Sequence, residues 1–67
     1  MVVLNKENKD ELYQSALEII KSEGKASTSL LQRKLQIGYN RAARIIDMME
    51  AERIVSKANH VGKRDVL

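Results

Sequence analysis

The stretch that decides the fold is residues 30–55, LLQRKLQIGYNRAARIIDMMEAERIV. Apolar residues recur at three- and four-residue steps on both sides of Gly38, a pattern typical of two amphipathic helices. We expect the earlier helix to end near Gln36 and the later one to continue to about Arg53. Two short helices joined by a glycine-containing turn indicate a helix-turn-helix.

The preceding residues predict a first helix from Asp10, with Asp10 or Asn8 as its N-cap and Gly24 as its stop. Its apolar stripe comprises Tyr13, Ala16, Leu17 and Ile20. For the second helix, Ser29 followed three residues later by Gln32 has the spacing of a capping box. We therefore expect the second helix to begin at Ser29. We expect residues 26–28 to form a short extended segment that could add a strand.

After the third helix the apolar period changes from about 3.6 to 2. Residues 54–56 and 64–67 then predict two strands, and residues 57–62 predict a loop in which Asn59 and Gly62 form the turn. Three helices and a β-hairpin wing describe an α+β, mostly helical, winged helix-turn-helix. We assign residues 9–67 to this domain and residues 1–8 to a flexible lead-in.

Composition excludes several classes of protein. The 67 residues suffice for one small domain, and they include no cysteine and a single histidine, His60. Neither a zinc site nor a Cys-His or Ser-His nucleophile pair is therefore expected, and no glycine loop for phosphates is present. We expect no catalysis, cofactor or metal. Since no apolar run approaches the roughly 20 residues that span a bilayer, we expect a cytoplasmic domain without membrane contact.

The charge is concentrated in the second half of the chain. Up to Gln32 there are four Lys or Arg against five Asp or Glu, whereas from Arg33 onward there are eight against four, which makes that half +4. No acid lies between Arg33 and Arg44. Such a basic patch favours a polyanionic partner, and double-stranded DNA is the partner that we expect.

The third helix offers a candidate base-reading face. At about 100° per residue, Asn40, Arg44 and Asp47 lie opposite the stripe of Ala42, Ile45, Ile46 and Met49. Asn can bridge adenine, Arg can bind guanine in a bidentate manner, and Asp can accept from the cytosine amino group. Polar residues opposite a core stripe are also typical of any surface helix. Arginines near the helix start, where the dipole disfavours cations, favour the DNA-binding interpretation.

Basic residues flank this helix and would contact the DNA backbone. The predicted backbone contacts are Arg33, Lys34, Tyr39, Arg41, Lys57, Lys63 and Arg64. Each cation taken singly is equally explained as an ordinary solvated charge. Arg64 could instead pair with Asp65 or Glu52. With two tyrosines as the only aromatic residues, stacking platforms for single strands or RNA are not supported.

The block QIGYNRAARIID at residues 36–47 and the terminal RDVL are similar to the C-terminal gamma domain of the FtsK/SpoIIIE family of bacterial DNA translocases. The resemblance extends over residues 10–67. It implies a winged helix that reads short G-rich polar sequences, orients motor loading and directs translocation towards the dif recombination site. The family's base-reading residues fall on Asn40, Arg44 and Asp47.

The resemblance also implies partners and a location. Several gamma domains lie side by side on one DNA site, the free domain is expected to be monomeric, and a XerD-like tyrosine recombinase is a further partner. The parent protein would be anchored in the inner membrane at the division septum.

Two alternative functions for the domain are a winged-helix module for protein contacts and a small transcriptional regulator.

Four features depart from the family pattern. Relatives often carry Glu at the position of Asp47 and arginine at that of Gln36, and the wing lacks a frequent Gly-Pro. Arg53 stands where a glycine commonly closes the helix. The chain must therefore use a different C-cap or accept a strained backbone there at about 1 kcal/mol.

Overall fold

The computed structural model describes residues 10–61 and 63–67, which form a three-helix domain. The helices are α1 (Tyr13–Glu23), α2 (Thr28–Leu35) and α3 (Tyr39–Ala51). The predicted lead-in, Asn8 and Gly62 lie outside the described residues. Within the described part of the chain, no helix combines the length and hydrophobicity that crossing a bilayer requires.

The core lies between the helices and is apolar throughout the described residues. The buried residues are Tyr13, Ala16, Ile20, Leu30, Leu31, Ala42, Ile45, Ile46, Met49 and Val55. Leu17 is partly buried against this cluster. The predicted core stripes of α1 and α3 are therefore confirmed, and the burial of one side of α3 leaves its opposite side for solvent or a partner.

The predicted start of α1 at Asp10 is wrong, because the helix begins at Tyr13 with Leu12 as its N-cap. Asp10 instead forms a turn before the helix. Its Oδ1 accepts from the Leu12 N–H at 2.9 Å, and its carbonyl accepts from the Tyr13 N–H at 2.9 Å. An Asp side chain that binds the backbone two residues later competes with helix formation. Gly24, at φ 69°, ends α1 as predicted.

The predicted capping box at Ser29 is also wrong. Ser27 is the N-cap of α2, and its Oγ accepts from the Leu30 N–H at 3.2 Å. Thr28 is already helical, so residues 26–28 add no strand. Ser27 has the extended backbone, φ −118° and ψ 126°, that an N-cap requires. Three consecutive residues carry a hydroxyl group that could cap the helix, and the capping-box spacing to Gln32 selects Ser29 instead of Ser27.

Helices α2 and α3 both end at left-handed residues that are not glycine. Gln36 follows α2 at φ 57°, and Arg53 follows α3 at φ 62°. The Arg53 N–H donates to the Glu50 carbonyl and the Ile54 N–H to the Met49 carbonyl, both at 2.9 Å. This is the hydrogen-bond pattern of a Schellman motif. The chain therefore accepts the unfavourable backbone at Arg53, and α3 ends at Ala51, two residues before the predicted end.

The predicted hairpin strands are not formed in the described part of the chain. In residues 54–61 and 63–67, which we call the C-terminal segment, the pairing is an isolated antiparallel bridge between Val55 and Val66. The ladder stops at Ser56 because its carbonyl accepts from the Arg64 side chain, while the Asp65 N–H donates to Ser56 Oγ. Asn59 orders the turn as predicted, since its Oδ1 accepts from two backbone N–H groups.

Candidate nucleic-acid interface

The three predicted base-reading residues share one exposed face of α3. Asn40, Arg44 and Asp47 are all exposed, opposite the buried stripe of the same helix. They span eight residues, or about 10 Å of helix axis. Among the described residues, Arg44 forms no ion pair. We call these three residues the reading face.

One residue of the reading face contacts the C-terminal segment. Arg64 Nη2 lies 3.6 Å from Asp47 Oδ1, while Arg64 Nη1 donates to Glu50 Oε1 at 2.6 Å and to the Ser56 carbonyl at 3.2 Å. The Arg64 side chain is 18% exposed. The sequence offers Asp65 or Glu52 as an alternative partner for Arg64, but the carboxylates that Arg64 contacts belong to Glu50 and Asp47. The arginine thus joins the C-terminal segment to α3.

Arg41, at the start of α3, has an acidic partner within the chain. Its Nε donates to Asp10 Oδ2 and its Nη2 to Asp10 Oδ1, both at 2.7 Å. The hydrogen bonds from Arg41, followed by that from the Leu12 N–H, lower the pKa of Asp10 to about 2. The Asp10 carboxylate therefore explains why a cation lies at the start of α3, and no bound ligand is needed to explain it. The sequence does not reveal the pair, because Asp10 also fits the pattern of an N-cap.

The predicted backbone contacts are spread over several elements. The exposed ones are Arg33, Lys34, Tyr39, Lys57 and Lys63, whereas Arg41 is half-buried and Arg64 is largely covered. Tyr39, Lys63 and Arg64 line one open groove of about 830 Å³, between the start of α2 and the C-terminal segment. Arg33, Lys34 and Lys57 lie outside this groove. Lys34 also approaches Glu23 of α1, with Nζ 3.9 Å from Oε2.

A buried tyrosine fixes the far end of α3. Tyr13 is 6% exposed, and its hydroxyl donates to Glu52 Oε1 at 2.9 Å. Burial, together with the Glu52 carboxylate, raises the pKa of Tyr13 to about 12. The sequence indicated that Tyr13 is in the core but gave no signal for its hydroxyl partner. This hydrogen bond joins α1 to the end of the helix that carries the reading face.

The chemistry of this surface consists of hydrogen bonding and charge. Among residues 10–61 and 63–67, no three His, Asp or Glu side chains come close enough together to hold a metal ion. The exposed groups are amide, guanidinium, ammonium, carboxylate and phenol. These are the groups by which proteins contact base edges and phosphates.

Comparisons with known proteins point to one family. A family model described as Ftsk gamma domain matches residues 7–67. The chain is 56% identical to the DNA translocase FtsK of Mesorhizobium japonicum over 63 residues, and these residues are 94% of this chain. It is 58% identical over 57 residues, 85% of the chain, to that of Bradyrhizobium diazoefficiens. The identity to that of Clostridium tetani is 52% over 66 residues, 98% of the chain. The chain spans 7% to 9% of the length of these relatives.

Proposed function

Because the chain belongs to the FtsK gamma domain family, we propose that it is the sequence-specific double-stranded DNA-binding domain of a DNA translocase. It reads short G-rich polar sequences, so that the motor loads in one orientation and moves towards the recombination site. The domain performs no catalysis itself. ATP-driven translocation belongs to other parts of a longer parent protein.

The observation that carries this proposal is the exposed reading face of α3. Asn40 hydrogen-bonds adenine, Arg44 forks onto guanine, and Asp47 accepts from a cytosine amino group. An α-helix with its side chains is about 10–12 Å wide, which suits the roughly 12 Å major groove. The reading face begins at the second residue of α3, and recognition helices contact base edges with their N-terminal residues.

The proposed docking is that of a winged helix. Helix α3 enters the major groove, and the C-terminal segment, which turns back beside α3 at the Val55–Val66 bridge, is the wing. Arg33, Lys34, Tyr39, Lys57 and Lys63 contact phosphates on the two sides. Arg41 holds Asp10 through Nε and Nη2, so its Nη1 is the atom that reaches a phosphate.

The proposed partners follow from the family. Several copies of the domain, each monomeric when free, lie side by side on one DNA site. A XerD-like tyrosine recombinase is a further partner of the domain. The parent protein is anchored in the inner membrane at the division septum, while this domain remains in the cytoplasm.

A selection experiment followed by salt titration tests the proposal. Duplexes bound by the chain are selected from a randomised pool, and the binding of selected and random duplexes is then measured at several salt concentrations. We expect a common G-containing motif and an affinity that falls steeply as salt rises, because phosphate contacts release counterions. An unenriched pool, or binding that does not depend on salt, would contradict the proposal and favour a protein-contact module.

A further inference from the structure

We infer that Arg64 is a positioning residue, which sets the base preference of Asp47 instead of binding a phosphate. The inference deepens the proposed function and rests on it. It makes the C-terminal segment a determinant of sequence specificity, through a residue that does not itself touch a base.

The backbone of the C-terminal segment directs Arg64 towards α3. The Val55–Val66 bridge holds the returning chain in place, and the Ser56 N–H donates to the Asp65 carbonyl at 2.9 Å. Side chains alternate between the two sides of an extended chain, so Arg64 lies on the same side as Val66, which packs against the core. Asp65, between them, is exposed.

Two acceptors fix the guanidinium. Arg64 Nη1 binds both the Glu50 carboxylate, at 2.6 Å, and the Ser56 carbonyl, at 3.2 Å. Glu50 stands three residues after Asp47, and residues at this spacing are neighbours on a helix surface. With Nη1 held in this way, Nη2 is brought to 3.6 Å from Asp47 Oδ1.

The distance to Asp47 is informative. Charge-assisted hydrogen bonds have lengths of about 2.7–2.9 Å, so at 3.6 Å Arg64 attracts the carboxylate without occupying its acceptor sites. Among the described residues, no group donates a hydrogen bond to the Asp47 carboxylate, and the side chain is 69% exposed. The Asp47 side chain is therefore held near Arg64, while its carboxylate oxygens stay available to a cytosine amino group.

The charge of Arg64 also suits an acidic residue beside DNA. Asp47 and Glu50 are two carboxylates on a surface that would approach phosphates, and the guanidinium between them reduces that repulsion. A phosphate contact, by contrast, needs an accessible cation. The adjacent Lys63 is exposed, whereas Arg64 is largely covered.

The test compares Arg64→Gln with the matched variant Lys63→Gln. Each protein is titrated with the duplex selected from the randomised pool and with its single-base variants. We expect Arg64→Gln to lower discrimination about tenfold at the one base pair that Asp47→Asn also relaxes, and to leave the position read by Arg44 unchanged. Lys63→Gln should weaken all duplexes alike and leave discrimination intact.

Two further variants separate positioning from folding and from direct contact. In an Asp47→Asn background, Arg64→Gln should reduce discrimination no further. Arg64→Lys, which keeps the charge, should recover part of the discrimination and serves as the test variant if Arg64→Gln does not fold. If both Arg64 variants keep wild-type discrimination, the inference is overturned. It is also overturned if they weaken all duplexes equally and flatten the log–log salt slope by about 0.9, and in that case Arg64 is a phosphate contact. A wild-type chain without base preference overturns the proposed function, and this inference with it.

Discussion

Arg41 and Asp10, separated by 31 residues in the sequence, are joined by two hydrogen bonds of 2.7 Å. The pair connects the turn that precedes α1 to the first turn of α3. It therefore fixes the end of α3 at which the reading face begins.

Asp10→Asn should lower the free energy of unfolding at pH 7 by about 1 kcal/mol, a value that allows for solvent screening of the exposed part of Arg41. Asn keeps the acceptor for the Leu12 N–H, so the change tests the ion pair. Because the pKa of Asp10 is about 2 in the folded state and near 3.9 when unfolded, the stabilisation is present above pH 4 and lost as pH falls through 2.

Denaturant unfolding at pH 7, 4 and 2 measures this effect. The difference between wild type and Asp10→Asn should be largely lost at pH 2, and Glu11→Gln, at the exposed neighbouring carboxylate, should change little throughout. A difference that stays constant with pH would mean that the ion pair is not its source.

Arg53→Gly should stabilise the domain. Arg53 has φ 62°, a conformation that costs a residue with a Cβ about 1 kcal/mol and that glycine adopts without strain. For a domain of this size we expect the melting temperature to rise by about 4–8 °C. Ala51→Gly, within α3, is the matched control and should destabilise. A lower melting temperature for Arg53→Gly would show that its side chain contributes more than the backbone costs.

Tyr13→Phe should lower stability at neutral pH by about 1 kcal/mol, because it removes the hydrogen bond to Glu52. The folded-state pKa of Tyr13, about 12, lies above the ordinary value of 10. The hydroxyl therefore stabilises the fold below pH 10, and this contribution is lost as pH rises through 12. Unfolding at pH 8 and pH 11.5 should show the difference between wild type and variant shrinking. Tyr39→Phe is the control, because Tyr39 is 62% exposed. An equal loss of stability in that variant would contradict the role given to the hydroxyl of Tyr13.

Lys63→Gln should weaken binding to selected and random duplexes by the same factor and flatten the log–log salt slope by about 0.9, as expected for one lost phosphate contact. From the sequence alone, neutralising Lys63 and Arg64 together would be the test of phosphate contacts. Because Arg64 forms ion pairs within the chain, Lys63→Gln alone is the cleaner test. Lys21→Gln on α1 is the matched exposed control. An unchanged slope for Lys63→Gln would remove the C-terminal segment from the phosphate contacts.

The sequence predicted the features that depend on periodicity. Burial of Ala42, Ile45, Ile46 and Met49 follows from their helical spacing, and the exposed reading face follows from the same geometry. Choices between neighbouring polar groups were less predictable: Ser27 caps α2 although Ser29 has the better spacing to Gln32.

Long-range charge pairs had no local signal at all. Arg41 finds Asp10 across 31 residues and Arg64 finds Glu50 across 14, so only the folded chain brings these groups together. Arg64 also interrupts the predicted hairpin, because its guanidinium donates to the Ser56 carbonyl, which a longer ladder would use as a backbone acceptor.

The central claim is that α3 reads duplex DNA, and Arg44→Ala tests it most directly. Binding is measured on the selected duplex and on random duplexes at one salt concentration, with melting curves to confirm that the variant is folded. Loss of a bidentate guanine contact should cost about 1–3 kcal/mol on the selected duplex and little on random DNA, and Asn40→Ala should act similarly at another base position. An equal loss on selected and random duplexes would contradict the claim and make Arg44 a phosphate contact.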